Sequence, residues 1–120
     1  KAENIYLKAD PNLINQALNN LFKNSINAIN EHKANKQVGE ININLYKKNN
    51  LCFLDFIDNG IGFPKNKEHL LEPYISRSKK GSGLGLAVVK KIMEDHKGGI
   101  ELKNNLNKKG ARVTLSFPLS

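Results

Sequence analysis

Leu51 to Ile57 reads as apolar on both faces, and this run narrows the fold more than any other stretch. A strand with hydrophobic side chains in both directions needs cover above and below, which predicts a central strand of a sheet. The run breaks at Asp58-Asn59-Gly60-Ile61-Gly62. Cys52, Leu54, Phe56 and Asp58 point the same way along it, so a carboxylate ends an apolar face at the mouth of the core.

The other elements follow from periodicity and punctuation. Glu3 to Lys8 is a short strand candidate, with Ile5 and Leu7 alternating. Asp10-Pro11 supplies an N-cap and a first helical residue for a helix to about 30–33. Its core stripe is Ile14, Leu18, Leu21, Phe22, Ser25 and Ile29, and Asn20, Asn24 and Asn27 line the boundary beside it. Glu40 to Tyr46 alternates, with Ile41, Ile43 and Leu45 on one face and Asn42, Asn44 and Tyr46 on the other, and Lys47 to Asn50 forms the hairpin turn to the central strand. No period holds from Phe63 to Ser82, and so long an irregular stretch in a small domain reads as a lid or binding loop. Gly83-Leu84-Gly85-Leu86 then opens a helix to about His96, stopped at Lys97-Gly98-Gly99. Ile100 to Lys103 and Ala111 to Phe117 are the last two strands, joined by a turn at Asn104 to Gly110. The order β-α-β-β-lid-α-β-β predicts an α+β, two-layer α/β sandwich with both helices on one face of the sheet.

The 120 residues suit one domain, and no apolar run reaches the ~20 residues of a membrane helix. A single cysteine, Cys52, excludes a disulfide framework and a multi-Cys zinc site and fits a reducing, cytoplasmic setting. With no initiating Met and no signal pattern, the chain reads as a segment of a longer protein. Lys plus Arg total 19 against 11 Asp plus Glu, a net charge of +8. The basic residues are scattered pairs, only two are Arg, and no aromatic-rich strand offers a stacking platform, so nucleic acid is not the expected partner. Joint enrichment in Lys, Asn and Ile is what low-GC codon usage produces, and some lysines are suited to neutralising a polyphosphate.

Three sets of residues carry chemistry. Asp58 either caps the glycine turn that follows or accepts an exocyclic amine such as that of adenine, with Gly60 and Gly62 letting backbone approach the ring. Gly81-Ser82-Gly83-Leu84-Gly85-Leu86 is either a linker or a phosphate cradle at a helix N-terminus, beside Arg77, Lys79 and Lys80. It is neither a P-loop nor a dinucleotide fingerprint. Asn20 and Asn24 share a helix face; either they are boundary amides, or Asn24 offers Mg²⁺ a hard oxygen.

Taken in order, these motifs resemble the catalytic ATP-binding domain of bacterial sensor histidine kinases, of the Bergerat fold shared with gyrase, Hsp90 and MutL proteins. Asn20-Leu21-Phe22-Lys23-Asn24-Ser25 resembles the N box, Asp58 to Gly62 the first glycine box and Gly81 to Leu86 the second. Leu71-Glu72-Pro73-Tyr74 stands at the F box, and Glu72 through Ile92 looks most like NtrY-like nitrogen-regulation kinases. The resemblance implies a mixed, mostly antiparallel sheet and one catalytic domain over residues 1–120, with an ATP lid at about 63–82 and no dimerisation or phosphoacceptor domain.

It further implies that Asp58 accepts the adenine amine, that Asn24 holds Mg²⁺, and that Asn20 lies near the phosphates. Gly60, Gly62 and Tyr74 would complete the nucleotide site. Backbone N–H groups from Gly83 to Leu86, continuing Gly81-Ser82, would cradle the phosphates, and Arg77, Lys79 or Lys80 would reach the γ-phosphate. Asn20 stands where ATPases of this fold carry a Glu base, and an amide takes no proton at neutral pH, so transfer is favoured over hydrolysis. The implied function is donation of the γ-phosphoryl group to a histidine on a separate helical hairpin, for relay to a response regulator. The alternatives are a nucleotide-binding module or an anti-sigma-factor-type serine kinase. A monomeric isolated domain, without nucleic-acid or direct membrane contact, completes the expectation. Asn27, Ala28 and Ala111 depart from the family, where a basic residue, an aromatic and a Thr are frequent.

Overall fold

The computed structural model describes residues 7–31, 38–65, 67–72, 85–106 and 109–119. The elements are α1 (Pro11–Glu31), β1 (Ile41–Lys48), β2 (Leu51–Asp58), a short 3-10 helix (Lys67–Leu71), α2 (Gly85–Asp95), β3 (Gly99–Asn104) and β4 (Ala111–Pro118). The strands form one sheet in the order β1-β2-β4-β3, all three pairings antiparallel. β2 lies between β1 and β4, the inner position expected for it, and the helices pack against one face to give the expected two-layer α+β sandwich. Of the N-terminal strand candidate, residues 3–6 lie outside the described residues, and Leu7 and Lys8 are not in a strand.

The local chemistry matches the boundaries. Asp10 Oδ1 accepts the N–H groups of Asn12 at 2.9 Å and Leu13 at 3.3 Å, so Asp10 is the N-cap of α1. The β1–β2 turn is tighter than the four residues expected. Asn49 and Asn50 both take positive φ, 54° and 66°, the requirement of a two-residue hairpin loop matching the strand twist. α2 ends with Gly98 N–H bonded to the Met93 carbonyl at 2.7 Å and Lys97 N–H to that of Glu94 at 3.0 Å. Lys97, not a glycine, takes the left-handed position, φ 61°. Gly98 is needed for space instead, since a Cβ there would lie 2.0 Å from the Ser116 carbonyl oxygen.

Three expectations need correction. In the α1 stripe Leu21 and Ser25 are buried and Ile14 and Leu18 pack on the core as expected, but Ala17 and Ala28 are buried beside them and Phe22 is 37% exposed, its ring edge-on to Phe56 with centroids 5.2 Å apart. Small residues face inward where α1 lies close to its neighbours. Ile43 and Leu45 are exposed because β1 is the edge strand. β2 is not apolar on both faces: Asp55 is buried on the outer face, where Thr114 Oγ1 donates to its Oδ1 at 2.7 Å. Tyr46 also hydrogen-bonds Asp55, and burial, then the Asp55 charge, pushes its phenol above the ordinary range.

The core joins Leu21 of α1, Cys52 and Phe56 of β2, Val89, Ile92 and Met93 of α2, and Val113, Leu115 and Phe117 of β4. Phe63 and Leu70, from the stretch without sequence period, are buried in it too, so that stretch is anchored at its described start. Cys52 is fully buried, and desolvation raises its thiol pKa, so the thiolate that reacts is suppressed twice over. Labelling of Cys52 by a maleimide under native conditions is predicted to run at least ~100-fold slower than in denaturant. Equal rates, read by mass spectrometry, would contradict this packing.

Candidate nucleotide site

The site gathers where β2, the β3–β4 connection and the facing ends of α1 and α2 approach one another. Asp58, the last residue of β2, is 4% exposed. Its Oδ1 accepts the N–H of Gly60 at 3.0 Å and that of Ala111, the first residue of β4, at 3.2 Å. The turn cap weighed from sequence is therefore real, and the same oxygen also ties β4 to β2 across the sheet. Two N–H dipoles hold the carboxylate in one orientation and offset part of its desolvation.

The loop after Asp58 is fixed from both sides. Ile61 N–H bonds the Ala28 carbonyl in the last turns of α1 at 3.1 Å. Gly60 fits because a Cβ there would lie 2.5 Å from the Ala28 carbonyl carbon. Ala28 is thus buried beneath the glycine turn. Gly62 takes φ 80°, and its missing Cβ leaves room for Asn104, whose Oδ1 would lie 2.9 Å away.

Asn104 and Asn105, expected from the sequence only as the start of the turn between the last two strands, hold this loop in place. Asn104 Oδ1 accepts the Phe63 N–H at 2.6 Å and its Nδ2 donates to the Phe63 carbonyl at 3.0 Å. Asn105 Nδ2 donates to the Asp58 carbonyl at 2.8 Å. Asn59 does the same for the segment before β1, accepting the Glu40 N–H and donating to the Val38 carbonyl, both at 2.9 Å. The available signal was that a buried strand end followed by glycines needs side-chain donors, and an Asn pair stands at the neighbouring connection.

One turn before Ala28 on α1, the two helices meet. Asn20 and Asn24 are half-buried on α1, at the core boundary as expected. A Cβ on Gly85, the first residue of α2, would lie 3.8 Å from Asn24 Oδ1 and 4.0 Å from Nδ2. The Asn24 amide therefore stands at the N-terminus of α2, the end of a helix that carries partial positive charge. Leu86 is buried in the core just inside that terminus. The structure thus brings together Asp58, Gly60 and Gly62 at one loop, and Asn24 with Gly85 at one helix junction. Tyr74, Arg77, Lys79, Lys80 and the run Gly81 to Leu84 lie outside the described residues. Among the described residues, no three His, Cys, Asp or Glu side chains converge as a metal cluster, and no helix is long and apolar enough to cross a membrane.

Comparison with known proteins gives this geometry a context. The chain is 41% identical over 110 residues to nitrogen regulation protein NtrY of Azorhizobium caulinodans, covering 90% of this chain and 14% of that protein. It is 36% identical over 115 residues to sensor histidine kinase ZraS of Escherichia coli O157:H7, covering 95% of this chain and 24% of ZraS. The chain therefore spans a quarter or less of these relatives. Its fold superimposes on the catalytic domain of histidine kinase ThkA with a TM-score of 0.82 at 29% identity, over 99% of this chain and 74% of that one. The fold also matches full-length ShkA, solved in complex with AMPPNP, at TM-score 0.80 and 19% identity, over 98% of this chain and 24% of ShkA. The model of the histidine kinase-, DNA gyrase B- and HSP90-like ATPases matches residues 9–120, and the chain belongs to that family.

Proposed function

We propose that this chain is the catalytic ATP-binding domain of a sensor histidine kinase, donating the γ-phosphoryl group of ATP to a histidine on a separate dimerisation domain of its parent. The observation that carries this reading is Asp58, held by two N–H groups on one oxygen at the edge of the core, beside a glycine turn packed closely against Ala28 and Asn104. A fixed carboxylate there accepts the exocyclic amine of adenine and rejects a base that presents a carbonyl instead.

The triphosphate runs from Asp58 toward the junction of α1 and α2. Backbone N–H groups at Gly85 and Leu86, continuing from Gly81 to Leu84, receive its oxygens. Asn24 Oδ1, standing at that terminus, fits a hard cation that takes its remaining ligands from phosphate and water. Mg²⁺ bound there would neutralise the phosphates and the charge that develops on the leaving oxygens. Asn20, one turn earlier, orients without taking a proton, which leaves the attack to the acceptor imidazole. Arg77, Lys79, Lys80 and Tyr74, in the lid proposed over about 63–82, complete the site around the γ-phosphate. In transfer, the bond from the γ-phosphorus to the bridging oxygen breaks as one to the acceptor nitrogen forms, and ADP leaves. The phosphohistidine is then the donor to a response-regulator aspartate. This places the domain, as a monomer when isolated, on the cytoplasmic side of a parent that is itself free or membrane-anchored.

The chain's own described histidines are poor acceptors. His69 pairs with Glu72 at 3.4 Å on the surface, and both ring nitrogens of His96 are engaged. With γ-labelled ATP, the purified chain is predicted to bind nucleotide yet incorporate no label; stable labelling of a histidine would contradict the division of labour. Calorimetry with Asp58→Asn is expected to show ATP affinity reduced at least tenfold, about 1.4 kcal/mol, in a chain that remains folded. Wild-type affinity would remove the adenine assignment. Asn24→Ala should lose most of the affinity that magnesium adds, while binding in EDTA changes little. If wild-type affinity is the same with magnesium as with EDTA, Asn24 has no metal to hold.

A further inference from the structure

The two helices that meet at Asn24 and Gly85 are joined again at their other ends. Asp10 N–H donates to His96 Nε2 at 3.0 Å, and His96 Nδ1 lies 2.8 Å from the Ile92 carbonyl oxygen. A carbonyl can only accept, so Nδ1 carries the proton, and Nε2, which takes the Asp10 N–H, presents a lone pair. The ring in this arrangement is neutral and in the Nδ1–H form. Asp10 is at the same time the N-cap of α1. The residue that starts α1 is thus bonded to the ring just past the end of α2, and α1 runs antiparallel to α2. Asp95 beside the ring is engaged with Lys91 at 3.0 Å, and Lys8 and Lys97 are the other charged groups around the adjoining surface cavity.

We infer that His96 is a positioning residue for the nucleotide site: its neutral imidazole sets how far α1 slides along α2, and with it the placement of Asn24 against the N-terminus of α2. The inference deepens the proposed function and rests on it. Between the two ends the contact is apolar, with Ala17 and Leu21 of α1 in one core with Val89 and Met93 of α2. Apolar attraction has no direction and tolerates a slide, whereas a hydrogen bond fixes its partners within a few tenths of an ångström. A helix is stiff along its axis, so a shift at Asp10 is carried the ~21 Å to Asn24.

Long-range ¹H–¹⁵N spectra of the wild-type imidazoles should show His96 as the Nδ1–H form; the Nε2–H form would overturn the bridge. In calorimetry, His96→Ala is expected to weaken Mg·ATP binding about three- to tenfold while stoichiometry stays at one and binding in EDTA hardly moves. His96→Gln, whose amide oxygen can accept the Asp10 N–H, should recover most of the loss. A merely structural residue would lower the fraction of competent protein and leave the affinity of the rest unchanged; that result, or equal losses with and without magnesium, overturns the inference. Should wild-type chain bind no Mg·ATP, the proposed function fails, and the bridge is still decided by the Asn24 side-chain amide resonance. It should move in His96→Ala and return in His96→Gln; no movement contradicts the register role.

Discussion

Asp58 Oδ1, holding the N–H groups of Gly60 and Ala111, is the constraint on which the rest of the site depends. A buried carboxylate without donors would cost several kcal/mol, and hydrogen bonds to a charged group return about 1.5–3 kcal/mol each. Both donors are backbone, one from the turn that follows β2 and one from the first residue of β4. The carboxylate therefore cannot swing without disturbing the turn or the sheet. In the proposed function it would meet its ligand already oriented, sparing the ordering cost that a surface carboxylate would incur on binding.

Asparagine does much of the remaining construction. Asn59 and Asn104 each use both ends of the amide on backbone, accepting an N–H and donating to a carbonyl, as a neighbouring strand residue would. Asn105 holds the Asp58 carbonyl. Asn49 and Asn50 take the positive φ of the β1–β2 turn. An Asn-rich chain thus pairs irregular backbone near the site with side chains. These contacts lie in loops and at strand ends, and none of them follows a helical or strand period.

That difference explains what the sequence made legible. The central place of β2, the span of α1 and the approximate spans of α2, β3 and β4 were readable because burial imposes periods of 2 and 3.6. Asp58 could be singled out because a charge at the end of an apolar face is costly. Asn104 and Asn105 could not, because their partners are 41 and 47 residues away and their type is common throughout the chain. The inward face of α1 was misjudged at Phe22 because large apolar residues attract a core assignment, whereas close approach selected Ala17 and Ala28. Asp55 escaped notice because its stabilising partners, Thr114 and Tyr46, come from the strands on either side.

The central claim is that Asp58 receives the purine and the helix junction receives the phosphates, two subsites joined by one ligand. Backbone amide spectra of the ¹⁵N-labelled chain, titrated first with adenosine and then with Mg·ATP, test it most directly. The account predicts that adenosine alone shifts the Gly60 and Ala111 amides, which donate to Asp58, and that the Gly85 and Leu86 amides follow only with the triphosphate. Adenosine that leaves Gly60 and Ala111 unmoved, while Mg·ATP perturbs only the lysine-bearing surface, would contradict it.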